Sequence, residues 1–424
     1  MKTTQLNTFD KGGAGVAAYR LHEAFNSGSE VQSQLVYLHG TATDRFENVH
    51  VIANNPMGKK IALTRLAWEK IWFAFQVKNK ADRFRFSTAN MGLDISSFPL
   101  VKEADIVHLH WINNGFLSLK GIRKLKKLNK PIVWTMHDMW AMTGGCHHSR
   151  ECENYQKQCG NCFYLRNPSE SDVSATVHEK KEKTYSDLNL TFIACSNWLA
   201  ARARKSSLLG DKRIEVIPNP INTEVYKPNN KADAKAKFGL DKDTLCISFV
   251  AANVSDVRKG FEYLRVALWK LKVKQPDWSK RIKLLVMGEA KTDVNLDLPF
   301  EYTFTGYLND EERIIDFYNA SDVFVLPSLE ENLPNTIMEA LSCGVSSVAF
   351  EVGGIPDLIQ HMHNGYLADY ESVDDLAEGI NYVLKETQVG QRLQENARNK
   401  AVENYSYPVI AQKVTQLYQS LLNK

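Results

Sequence analysis

Short apolar runs alternate with stretches of helical spacing along the whole chain. Thr4–Phe9, Ala104–Trp111, Pro131–Asp138, Thr191–Ser196 and Ile214–Asn219 have strand length and composition, as do Leu245–Val250, Ile282–Glu289, Tyr302–Tyr307 and Asp322–Leu326 further on. Val16–Phe25, Lys120–Leu128, Glu311–Tyr318 and the final segment Tyr405–Lys424 repeat apolar residues at the spacing of one helix face. From Pro356 to Lys385, and again from Gln391 to Asn404, the pattern is helical. Strands that alternate with helices predict βαβ units and parallel sheets.

The chain has 424 residues, more than one ordinary core holds, so two α/β domains are expected. The turn-rich connection from Pro218 to Asn230 marks the boundary between residues 1–219 and 220–404. A formal net charge of +3 points to no nucleic-acid partner. The start Met1-Lys2-Thr3-Thr4-Gln5 leads into a strand and not into a long apolar leader, and no window reaches the length of a membrane span. Seven cysteines without a secretion signal read as reduced thiols or metal ligands, and the expected location is cytoplasmic.

The chemistry concentrates between Ser328 and Leu341. The strand Asp322–Leu326 runs into a polar loop, Pro334 can open a helix, and Ile337, Met338 and Leu341 continue it. Glu331 then lies in a strand-to-helix turn, with Glu339 about two turns along the helix. Free N–H groups at such a turn favour a phosphate, and two carboxylates beside it suit a ligand with hydroxyls next to its phosphate, so a nucleotide sugar is the expected ligand. Asn332, Leu333 and Pro334 line the same turn. The same glutamate spacing arises on any solvated helix; the strand before it and the glycines after it make it specific.

Glu331-x7-Glu339, Cys343-Gly344 and Val352-Gly353-Gly354-Ile355-Pro356 together resemble the donor site of family 4 retaining glycosyltransferases of the GT-B fold. The resemblance covers nearly the whole chain, and departs from the family at Val345-Ser346-Ser347, where a small residue and a proline are usual. It implies two Rossmann-like domains facing across a cleft, with the final helix 405–424 packing back on the first. It also implies transfer of a sugar from a UDP- or GDP-linked donor to a hydroxyl, with retention of anomeric configuration and no required catalytic metal. Glu331 would hold the donor sugar, Glu339 the ribose, and His137 would sit beside the anomeric centre. Arg258 and Lys259, adjacent cations after a strand, would stabilise the departing diphosphate.

The glycine turn Asp10–Gly15 follows the first strand, and Gly12 and Gly13 allow a ligand close to the backbone; in the resembled family this turn contacts donor phosphate or acceptor. It lacks the Gly-x-Gly-x-x-Gly fingerprint, so a dinucleotide cofactor is disfavoured. Gly288 and Gly306 end strands where backbone could flank a base or ribose. His110 and His137 end two strands of the first domain, where ligands of parallel sheets bind. Cys146, Cys152, Cys159 and Cys162 fall within a short loop and are a candidate structural zinc site, with reduced or disulfide-paired thiols as the other reading.

The basic, aromatic segment Lys59–Phe86 is either an ordinary helix or one that lies on an anionic bilayer, so peripheral contact with the inner membrane face stays open. A carbohydrate or lipid-linked sugar acceptor and polysaccharide or glycolipid assembly are the expected context. Two other function classes share the fold: a GT-B nucleotide-sugar epimerase and a non-catalytic nucleotide-sugar-binding relative.

Overall fold

The computed structural model describes residues 1–41, 47–253, 256–289 and 296–423. The chain divides into two compact units, Met1–Pro220 with Ile410–Lys424, and Ile221–Val409. The turn-rich connection thus ends the first unit at Pro220, and the return lies at Ile410 within the final helix, Tyr407–Leu422.

The first unit holds a seven-stranded sheet of β1 (Lys2–Phe9), β2 (Gln32–His39), β3 (Val49–Val51), β4 (Ile106–Leu109), β5 (Ile132–Met136), β6 (Leu190–Ala194) and β7 (Arg213–Val216). Its order is β3-β2-β1-β4-β5-β6-β7, with every pairing parallel. Sheets of this kind are covered on both faces, so their strands are buried along most of their length. Leu6, Val107, Leu109, Val133 and Phe192 are accordingly buried. Each contributes about 1.5–3 kcal/mol through lost water contact. The final helix closes on this unit: Tyr418 packs 5.7 Å from Phe25 and meets His108 at 2.6 Å.

The second unit holds β8 (Leu245–Asn253), β9 (Ile282–Glu289), β10 (Glu301–Gly306), β11 (Val323–Leu326), β12 (Ser347–Phe350) and β13 (Gly365–Ala368). The order β10-β9-β8-β11-β12-β13 repeats the pattern of the first sheet. In both sheets the direction of winding reverses beside the first strand, between β1 and β4 and between β8 and β11. Ligands of open parallel sheets bind at such points, beyond the carboxyl ends of the strands.

Three expectations are corrected. The helical reading from Pro356 to Lys385 breaks into a short helix Ile355–Leu358, strand β13, and a helix Val373–Val389. A four-residue apolar run is too short for its period to show, and a Cβ at Gly365 would meet Ser347 O at 2.4 Å, so glycine allows the edge strand to pair. The turn at Asp10–Gly15 is shorter than expected, because the helix already begins at Gly12. The strand expected over Leu245–Val250 runs on to Asn253, and residues 254–255 lie outside the described residues. Residues 290–295, after the Gly288 strand end, also lie outside them.

Among the described residues no helix is long and apolar enough to cross a membrane.

Candidate functional site

In the second unit the loops after β8 and β11 are locked together. Asp256 caps a 3-10 turn, Val257–Lys259, accepting from Arg258 N at 3.1 Å and from the Arg258 guanidinium at 2.7 Å. Gly260 follows at φ +67°, a region that favours glycine. A Cβ there would stand 1.8 Å from Pro327 O, so the two backbones lie flush. Leu329 N donates to Arg258 O at 2.8 Å across the same seam. From the other side, Gly353 at φ +59° leaves no room for a Cβ, which would fall 1.8 Å from Glu331 O. The segment from Pro327 to Glu331 is therefore clamped between two glycine turns.

This clamp brings the expected charges together. Lys259 Nζ donates to Glu331 Oε1 at 2.6 Å, with both side chains partly open to solvent. Arg258 is half-buried. Burial works against its charge, but Asp256, with Glu330 and Glu331 nearby, outweighs that and holds the guanidinium above its ordinary value. Asp256 stays below the usual carboxylate range: burial opposes this, and the Arg258 hydrogen bond overcomes it. Beyond Glu331, Leu333 is buried, Asn332 half-buried, and Pro334 precedes the helix Asn335–Ser342 with no side chain capping it. Pro334 is thus the residue before the first turn, one position earlier than an opening proline would stand.

Glu339 points inward from that helix, 9% exposed, and its Oε2 accepts from Tyr318 Oη at 2.8 Å. Burial, reinforced by Glu339, raises the Tyr318 phenol well above its ordinary value, so it remains a donor. Tyr318 was missed in the sequence; it closes an apolar helix, and nothing in its spacing signals a carboxylate partner. Gly288 lies buried near the end of β9, away from solvent.

In the first unit, Gly12 and Gly13 are exposed at the start of the helix Gly12–Asn26, where no side chain caps the first turn. His137, just beyond β5, is half-buried and joins a stack of three imidazoles: ring centroids lie 4.4 Å apart for His108–His110 and 5.3 Å for His110–His137. Gln5 Nε2 donates to Ser33 Oγ at 2.8 Å, which leaves Gln5 Oε1 to accept from His110 Nε2 at 2.8 Å. His110 Nδ1 then accepts from His137 Nε2 at 3.0 Å. Burial, offset in part by Asp138, lowers His137 to about 4, and burial lowers His108 to about 3. His110 is held well below its ordinary value by burial and by its two histidine neighbours. The cluster is therefore neutral at physiological pH. Gln5 is the other residue that sequence reading missed.

Asp138, next to His137, is turned to structural work. It accepts from Trp111 Nε1 at 2.8 Å, from Trp140 N at 2.7 Å and from His147 Nδ1 at 2.7 Å. Burial opposes its charge, but His147 and these donors keep it below the usual carboxylate range.

In the cysteine loop, burial, reinforced by the neighbouring Cys162, Cys159 and Cys152, pushes the Cys146 thiol well above its ordinary value. Cys146, Cys159 and Cys162 are buried and Cys152 half-buried, all as free thiols. Burial pushes Cys159 up to about 11 and Cys162 up to about 12. Among the described residues no group of three His, Cys, Asp or Glu side chains is arranged to hold a metal ion.

Comparison with known proteins agrees with the geometry. Residues 11–225 match the family model "Glycosyltransferase Family 4", and residues 230–400 match "Glycosyl transferases group 1". The putative colanic acid biosynthesis glycosyl transferase WcaC of Escherichia coli K12 is 24% identical over 445 aligned positions, covering 99% of this chain and 100% of that one. An Escherichia coli UDP-Gal:alpha-D-GlcNAc-diphosphoundecaprenol alpha-1,3-galactosyltransferase is 27% identical over 215 residues, covering 49% of this chain and 54% of that one. The match spans 64%, 40% and 55% of three further curated relatives, so likeness to them is partial. Among solved structures, sucrose-phosphate synthase from Thermosynechococcus elongatus superposes with a TM-score of 0.69 at 18% identity, covering 100% of this chain and 99% of that one. The Anabaena protein HepE in complex with UDP-glucose gives 0.64 at 16% identity, covering 99% and 100%. Two parallel-sheet units of this topology, a clamped Glu331 loop beside Arg258 and Lys259, and a family model over half the chain lead to one conclusion: the chain belongs to glycosyltransferase family 4 and has the GT-B fold.

Proposed function

We propose that the protein is a retaining glycosyltransferase that moves a sugar from a UDP- or GDP-linked donor to a hydroxyl of a carbohydrate or lipid-linked acceptor. The observation that carries the reading is the Lys259–Glu331 pair, at 2.6 Å, held at the switch point of the second sheet beside Arg258 and an uncapped helix start.

The barrier to such a transfer is separation of charge between a cationic sugar and a departing diphosphate. Arg258 and Lys259 face the developing negative charge, and the N–H groups of the helix Asn335–Ser342 add their dipole to it. Glu331 loses its partner when Lys259 turns to the diphosphate, and its carboxylate then faces the sugar as positive charge grows. Glu339, oriented by Tyr318, accepts from ribose hydroxyls. The leaving phosphate takes the acceptor proton, so no separate base is needed. His137, neutral and fixed by His110, offers hydrogen bonds to a sugar hydroxyl and not a charge.

UDP-glucose bound to HepE, and the diphosphoundecaprenol named for the Escherichia coli relative, support the donor class and a lipid-linked acceptor. Polysaccharide or glycolipid assembly at the cytoplasmic side follows from this reading. The test is a thermal-shift and turnover screen of UDP- and GDP-sugars on wild type, Glu331→Ala and Glu339→Ala. The reading expects one donor class to stabilise and to be slowly hydrolysed, with turnover lost in both variants. Turnover that survives both substitutions overturns it.

A further inference from the structure

The helix Pro56–Ala74 is built inside out. At 100° per residue, Met57, Ile61, Trp68, Ile71, Trp72 and Phe75 fall within about 100° of arc, one stripe about 27 Å long. All six are exposed, Phe75 to 74% and Trp68 to 61%. The opposite face, which packs on the unit, buries two charged side chains beside Ala62 and Phe73. Glu69 is buried and accepts from Thr88 N and Ala89 N at 3.0 and 3.1 Å. Lys70 is buried and donates to Phe86 O at 3.2 Å. A helix that buries two charges and leaves a stripe of six large apolar side chains in water presents an interaction surface.

The charges around the stripe say what covers it. Lys59 and Lys60 near one end, and Lys78, Lys80 and Arg83 beyond the other, are all exposed. The acidic side chains of the segment are the buried Glu69 and the half-buried Asp82, which is paired with Arg85. In a two-fold contact between copies of this chain the same patch meets itself, setting these cations against their own like charges. An anionic bilayer instead neutralises them while tryptophan and phenylalanine enter the headgroup boundary.

We propose that the stripe Met57–Phe75, with these five cations near its two ends, seats the first unit on an anionic lipid surface. The inference is separate from the donor-site reading, since vesicle binding needs no nucleotide sugar, and either can fail without the other.

The experiment is flotation of the full chain with vesicles of phosphatidylcholine alone and of phosphatidylcholine mixed equally with phosphatidylglycerol, with light scattering of the free protein alongside. Wild type should float with the anionic vesicles and not with the neutral ones. Trp68→Ser/Trp72→Ser/Phe75→Ser should lose at least about tenfold in partitioning, because each aromatic carries a large apolar area. Lys59→Glu/Lys60→Glu/Lys78→Glu/Lys80→Glu should lose at least about tenfold as well, and binding by wild type should weaken with salt. Since every substituted side chain is exposed, both variants should melt with wild type. If wild type does not float with anionic vesicles, or both variants float as well as it does, the proposal fails. If wild type is a dimer that the aromatic variant dissociates, the stripe's partner is a second copy and the proposal is overturned.

Discussion

Lys259 and Glu331, 72 residues apart in sequence, meet at 2.6 Å because Gly260 and Gly353 leave no side chain between three loops. The pair is half-open to solvent, so its contribution to stability is small, below about 1 kcal/mol. The proposed function assigns the pair to the ligand and not to folding. Glu331→Gln should therefore melt within a few degrees of wild type and yet lose about a hundredfold or more in kcat, a split read by thermal unfolding and steady-state turnover.

The glycine clamp makes a sharper demand. Gly353→Ala places a methyl group 1.8 Å from Glu331 O at a φ of +59°. The loop has to move, and the strained backbone costs about 1–3 kcal/mol. The expected outcome is a lower Tm together with weaker nucleotide-sugar binding, measured by calorimetric titration. Normal affinity in a folded Gly353→Ala protein would show that the loop's placement is irrelevant to the ligand.

The histidine stack predicts a pH response. His108 sits at about 3 in the fold against an ordinary 6.5, because burial disfavours its charged form. The unfolded chain therefore binds the proton more readily, and the stability involved is present above pH 6.5 and lost as pH falls toward 3. Each such histidine steepens the loss by up to about 1.4 kcal/mol per pH unit. His108→Gln should be less stable at pH 7.5 but flatter between pH 6.5 and 4, as followed by urea unfolding at each pH.

Where the chain departs from the family, a stabilising substitution is expected. Ser346 and Ser347 are fully buried, and among the described residues their hydroxyls find no hydrogen-bond partner. A buried unpaired hydroxyl costs about 1–3 kcal/mol. Ser347→Ala should leave stability unchanged or raise it by about 1 kcal/mol, as measured by chemical denaturation.

The residues of the Glu331 loop and the helix after it were legible because their signal is local. Val323–Leu326, the polar loop and the helix after Pro334 follow one another directly, so periodicity alone places Glu331 at a strand end and Glu339 inside a helix. The strands that flank the switch points were legible for the same reason. What stayed hidden is held by long-range polar pairing. Gln5 orients His110 across 105 residues and Tyr418 meets His108 across 310, and an apolar pattern tells which face is inward without telling which polar atom waits there. Tyr318 is nearer to Glu339, 21 residues, but a buried tyrosine at a helix end reads as core. Strand β13 was hidden by its shortness, four residues that the helical pattern around them absorbed.

Whether Lys259 and Glu331 mark a nucleotide-diphosphate site is decided by calorimetric titration of UDP and GDP into wild type and Lys259→Ala. The account predicts that one diphosphate binds wild type and binds the variant at least about tenfold more weakly, since a partly desolvated cation-to-phosphate contact is worth 1.5 kcal/mol or more by about the usual measure. Equal affinity for both proteins, or no binding of either diphosphate to wild type, would contradict it.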